Sequence, residues 1–110
     1  ELYKNISLDY FDLGNTQKAI EQASKILKLD SKNSWAISKL ITYHIKLNDW
    51  EKATEYLETF QRVNKISNSH KLGLFTIQQG RILLNENNFN AARRKFEKAL
   101  AIDSTLNAAY

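Results

Sequence analysis

The side chains able to do chemistry in this chain are few and scattered. Two histidines, His44 and His70, could move protons near neutral pH or ligate a metal. Asp9 and Asp12 lie one helical turn apart, and Glu51, Glu55 and Glu58 form an acidic stripe. Paired carboxylates can act as acid and base when a cleft perturbs them. Solvated helix faces account for both groups more simply, and Glu51 falls in a first helical turn, where the helix dipole favours negative charge. Cysteine is absent, which removes disulfides, thiolate zinc sites and cysteine nucleophiles, and suits a reducing compartment. No glycine-rich phosphate loop or nucleophile motif occurs. The expectation is a segment without metal, cofactor or catalytic residues.

The densest basic cluster is Arg93, Arg94, Lys95 and Lys98. On one helix these residues splay over more than one face, with Phe96 between them pointing inward. A solvated surface, or one facing an acidic partner, is expected there rather than nucleic acid. The net charge of +4 is spread along the chain, whereas nucleic-acid binders concentrate a basic stripe. No apolar run approaches the roughly 20 residues needed to span a bilayer, so no membrane contact is expected from this segment. The chain has no methionine and starts inside a helical pattern. It is expected to be a cytoplasmic piece of a longer protein, anchored to a membrane, if at all, through residues outside it.

The elements that must position these residues are helices throughout. Apolar residues recur three and four apart at Tyr3, Ile6, Tyr10 and Leu13, at Ile20, Ala23, Ile26 and Leu27, and at Ile37, Leu40, Ile41, His44 and Leu47. With no proline and three glycines in the chain, long helices joined by short polar turns are expected. Gly14 can take the left-handed conformation that ends a first helix. Asp30-Ser31-Lys32-Asn33, Asn48-Asp49, Asn85-Glu86-Asn87-Asn88 and Asp103-Ser104-Thr105 offer capping oxygens. The pattern predicts helices near 1–13, 16–29, 34–47, 50–66, 70–86 and 89–102, with a seventh starting near 105.

The helices repeat. Ala19 and Ala53, each three residues after a turn, lie 34 residues apart, and Ala92 follows after a further 39. A fixed period of this size marks a stack of helical hairpins that bury their apolar faces on one another. The repeats run near 1–33, 34–72 and 73–106, and 107–110 matches the opening of a fourth. The extra length of the second falls near 61–69 and is expected to extend the fourth helix by about one turn.

The period and residues resemble the tetratricopeptide repeat family. The resemblance rests on Ala92-x3-Phe96-x2-Ala99-Leu100 with Ile102-Asp103-Ser104, on Tyr3-x2-Ile6-Ser7-x2-Tyr10 with Gly14, Ala19 and Leu29-Asp30-Ser31, and on Leu40, Asn48-Asp49-Trp50 and Ala53. Ser31 and Ser104 stand where the family has proline, and Ile41 occupies the small-residue position filled by Ser7 and Gly80. The resemblance implies an all-α, right-handed superhelical stack of antiparallel hairpins, with His44 at a packing position. It also implies a non-catalytic scaffold holding a peptide or helix in a concave groove lined by the first helix of each hairpin. Carried over, that groove comprises Lys4, Leu8, Phe11, Trp35, Ser38, Lys39, Thr42, Ile45, Leu74, Ile77, Arg81 and Leu84. Phe11, Trp35, Ile77 and Leu84 are its apolar anchors, with Lys39 and Arg81 beside them. Chaperone-clamping members use lysine and asparagine at set groove positions; here Leu8, Lys39, Leu74 and Gln78 replace them, so that ligand is not expected. Uncovered apolar faces at the two ends of the stack imply self-association.

A narrower likeness covers Ala36 to Ala53 together with the 39-residue step. It resembles the lipopolysaccharide assembly protein B family of bacterial repeat proteins, which are membrane-anchored, carry a zinc module and regulate lipid A synthesis. A third possibility is that the repeats regulate a catalytic domain outside this segment.

Overall fold

The computed structural model describes residues 2–105. Among them are six helices: α1 (Leu2–Asp12), α2 (Thr16–Leu29), α3 (Ser34–Lys46), α4 (Trp50–Asn64), α5 (Ser69–Asn85) and α6 (Phe89–Ile102). The expected boundaries hold to one or two residues. Of the seventh helix, only the turn at Ser104 and Thr105 is described; the fourth repeat's opening at 107–110 lies outside the described residues.

Consecutive helices pair as three antiparallel hairpins, α1 with α2, α3 with α4 and α5 with α6. The chain divides into two compact units, one of α1–α4 ending at Lys65 and one of α5–α6 beginning at Ile66. In the first unit the two hairpins stack through α2 and α3. Ala19, Ile20 and Ala23 of α2 form a core with Leu40 and Tyr43 of α3, and Tyr10, Phe11, Leu27 and Tyr56 pack against it. Small residues on α2 let α3 approach closely, so the ring of Tyr43 is wholly buried. Ser7 closes the α1–α2 crossing: its hydroxyl donates to the Ala19 carbonyl at 3.1 Å and lies 2.8 Å from the Tyr43 hydroxyl. Because Ser7 has one proton and gives it to Ala19, Tyr43 is the donor in the second bond.

In the second unit the same crossing is made by glycine and a ring. A methyl group placed on Gly80 would lie 2.7 Å from Phe96 Cε1, closer than carbon atoms pack. Ile77 and Ala99 are buried beside it, with Phe96 and Leu100 packed against them.

The turns repeat with the helices. Gly14, Asn48 and Asn87 follow α1, α3 and α5, and all three have positive φ, 82°, 63° and 62°. Glycine and asparagine are the residues that tolerate this left-handed position. Asn48 therefore turns the chain, and Asp49 caps α4 by accepting from the Lys52 amide at 3.2 Å. Asn15, Asn33 and Asn68 cap α2, α3 and α5 in the same way. Asn88 precedes α6 without a side-chain cap bond, contrary to the sequence expectation.

The extra residues of the second repeat are also placed differently from the expectation. Helix α4 has 15 residues against 14 for α2, whereas α5 has 17 against 13 for α3. The added turn thus lies mainly at the start of α5. Lys65, in the left-handed conformation with φ 54°, stops α4, and Asn68 starts the next helix early.

Candidate functional site

Helix α3 sorts its residues by face. Ala36, Ile37, Leu40, Ile41 and Tyr43 are buried, while Trp35, Ser38, Lys39, Thr42, Ile45 and Lys46 form a second stripe at helical spacing that is half-buried or exposed. On α1, Lys4, Leu8 and Phe11 are half-buried. The two helices run side by side in the same direction, because Lys4 meets Trp35 near their starts and Phe11 meets Tyr43 further along. The Phe11 and Tyr43 rings are 4.8 Å apart and tilted by 34°, so Phe11 serves the core as well as the surface.

Trp35 is the centre of this face. The Lys4 ammonium lies 5.4 Å from its ring centroid and the Lys39 ammonium 5.9 Å. Both distances allow cation–π attraction, worth about 0.5–1 kcal/mol each at exposed sites. Sequence reasoning placed all three residues on one surface but did not foresee their convergence, which needs the lateral fit of α1 against α3.

In the second unit, Leu74 and Leu84 are 40% and 44% exposed, and Arg81 is also at the surface. Ile77 is only 1% exposed. It packs with Ala99 in the core, because it lies on the side of α5 turned towards α6. Ile77 is therefore a packing residue and not an apolar anchor for a ligand. Leu84 instead lines a cavity of ≈ 290 Å³ with Phe89, Ala92, Arg93, Phe96 and Glu97. The repeat spacing equates Leu84, Ala92, Arg93 and Phe96 with Phe11, Ala19, Ile20 and Ala23, which in the first unit belong to the core that α3 covers. Phe89, 62% exposed, is the member of this cavity that sequence reasoning missed. Its position aligns with Thr16 and Trp50 and carries no consistent apolar signal.

The titratable residues have structural surroundings. His44 stacks on Tyr56, with ring centroids 5.5 Å apart, and its buried Nδ1 has no hydrogen-bond partner. Burial pushes its pKa below the ordinary value; Lys52 adds to this, while Asp49 and Glu55 oppose it. A half-buried imidazole in this setting favours its neutral form and packs as an aromatic ring. His70 is exposed and lies 2.9 Å from the Asp103 carboxylate. Hydrogen bonds from Thr105, then from His70, hold the Asp103 carboxyl below the usual range. In the basic cluster, Arg93 pairs with Glu97 at 3.0 Å on the surface of α6.

Among the described residues, no three His, Asp or Glu side chains gather as a metal site would require. No described helix is long and apolar enough to cross a membrane. Residues 77–106 match a family model described as tetratricopeptide repeat; this stretch takes in the C-terminal half of α5 and all of α6. A repeat of that family, whose fold serves binding rather than catalysis, is therefore present in the chain. No curated protein matches the chain.

Proposed function

We propose that this chain is a protein-interaction scaffold whose α1–α3 face holds a peptide or helix of a partner. The observation that carries the reading is Trp35, a large aromatic side chain left half-buried on a stripe that the fold of its own unit does not cover. Aromatic anchors of this kind commonly carry a large share of binding energy, often above about 2 kcal/mol on truncation. Leu8, Phe11 and Ile45 supply apolar flanks, and Ser38, Lys39 and Thr42 supply polar contacts. In the second unit, taken by itself, Leu74, Arg81 and Leu84 are the surface residues of α5 that could serve a contact of its own. The test is selection of peptide libraries on the chain, followed by titration of the best binder. Trp35→Ala should weaken binding far more than it lowers stability, and Arg93→Ala with Arg94→Ala should change little. Loss of binding in the arginine variant alone would move the working surface to α6.

Self-association is a second reading, favoured by the apolar cavity around Leu84 and Phe89. A helix docked there would repeat what α3 does on the first hairpin. The narrower readings, a membrane-anchored regulator of lipopolysaccharide synthesis or a regulatory module of an enzyme, use the same scaffold chemistry. They differ in what the longer protein carries: a membrane helix and zinc module in one, a catalytic domain in the other.

A further inference from the structure

We infer that this chain associates with further copies of itself through α2 and α4, the basic stripe of α2 receiving the acidic stripe of α4 from a second copy in antiparallel register. The contact belongs to the first unit and uses neither the α1–α3 face nor the cavity of the second unit.

Along α2 runs an open groove of ≈ 470 Å³ lined by Gln17, Ile20, Glu21, Ser24, Lys25 and Lys28. Glu21, Lys25 and Lys28 are exposed, and the exposed Lys32 follows in the turn after the helix. These charges read minus, plus, plus, plus at intervals of four, three and four residues. On α4, Glu51, Glu55, Glu58 and Arg62 are exposed as well. They stand at the same intervals and read minus, minus, minus, plus. Intervals of three and four keep such residues on one side of a helix. The aliphatic stems of Glu55, Glu58 and Arg62 suit the apolar surface that Ile20 gives the groove.

The order of the charges sets direction and register. Laid antiparallel, the stripes oppose Lys32 to Glu51, Lys28 to Glu55, Lys25 to Glu58 and Glu21 to Arg62, every pair of opposite sign. Laid parallel, they oppose Glu21 to Glu51 and Lys32 to Arg62, and these like charges repel. Sliding the antiparallel pair by one turn sets Glu21 against Glu58 in one sense and Lys25 against Arg62 in the other. Contacts inside one copy leave the stripes able to pair. Glu55 meets Lys52 at 3.5 Å, but both side chains are more than half exposed, so the carboxylate has room for a second cation. Lys25 lies 5.7 Å from the Tyr3 ring centroid, and an ammonium with three donors can face a ring and a carboxylate together. Two different surfaces meet, so the contact is head-to-tail and each copy keeps one stripe open for the next. Exposed ion pairs are individually weak, which makes this association reversible and dependent on concentration.

The experiment is charge reversal followed by mixing, read by sedimentation velocity up to about 1 mM chain, with circular dichroism to verify the helices. The first variant carries Lys25→Glu with Lys28→Glu, and the second carries Glu55→Lys with Glu58→Lys. The unaltered chain should associate, and less so as salt rises from about 50 to about 300 mM. Each variant alone sets like charges against like and should associate at least about tenfold more weakly. An equimolar mixture of the two restores opposite signs at both stripes and should associate again. Glutamine in place of the same four residues removes the charge without reversing it, and should weaken association in either half-variant with no recovery on mixing. A monomeric unaltered chain at low salt would overturn the inference. So would association of either reversed variant at the unaltered strength, or failure of the mixture of folded variants to recover it. Association lost in Phe89→Glu but kept in both charge variants would assign it to the cavity of the second unit instead, and would also overturn the inference.

Discussion

Replacing Gly80 by isoleucine tests the close crossing of α5 and α6. Even a single added carbon would sit 2.7 Å from Phe96 Cε1, 2.9 Å from Cδ1 and 3.1 Å from Cζ. The ring must move, or α5 and α6 must separate. Overpacking of this kind costs about 1–3 kcal/mol, against a helix-propensity gain over glycine of about 0.5 kcal/mol. Steric crowding wins, so Gly80→Ile should destabilise by about 0.5–2.5 kcal/mol. The repeat suggests the remedy, because the second hairpin carries Ile41 and Leu57 at the positions of Gly80 and Phe96, and both are buried. Phe96→Leu alone should destabilise through lost packing. The double variant should recover part of the loss, with a coupling of about 1–2 kcal/mol in its favour. Urea denaturation followed by circular dichroism measures all four proteins. Simple additivity of the two substitutions would refute the reasoning, as would stabilisation by Gly80→Ile alone.

Three further outcomes follow from the same structure. Ser7→Ala should cost about 1–3 kcal/mol in urea denaturation, since it leaves the buried Tyr43 hydroxyl without its acceptor. Tyr43→Phe should cost less, because Ser7 keeps its bond to Ala19; the reverse order would contradict the assignment of donors. His44, held neutral chiefly by burial, binds protons less readily folded than unfolded. Its stabilising contribution should be complete above about pH 6.5 and decline as pH falls below that value. His44→Phe should flatten the decline, and an unchanged pH profile would argue against it. Phe89→Glu should reduce association seen by sedimentation velocity at high concentration, whereas an unaltered profile would remove the α5–α6 cavity from consideration as a contact.

Much of the architecture was legible without coordinates. The three- and four-residue apolar spacing, the asparagine and aspartate caps and the Ala19, Ala53 and Ala92 register are local signals, each set by neighbours within a turn or two. They placed all six helices and paired them into hairpins. They did not place the added turn of the second repeat, because Gln61–Ser69 reads as helix equally well on either side. The left-handed Lys65 and the cap at Asn68 decided that boundary. Ile77 shows a second limit: helical spacing alone could not tell its core-facing side from a ligand-facing one, and the position of α6 settled it. Asn88 shows a third, having the right residue type for a cap but no side-chain bond. The candidate site divides the same way. The family resemblance put Lys4, Trp35 and Lys39 on one groove surface, because each falls at a groove-lining position of a first helix. Their meeting around one indole ring depends on how α1 lies against α3, which is fixed by the fit of Ser7, Phe11 and Tyr43 between the hairpins. Spacing along the chain determines which face a residue occupies; only packing between helices determines what that face meets.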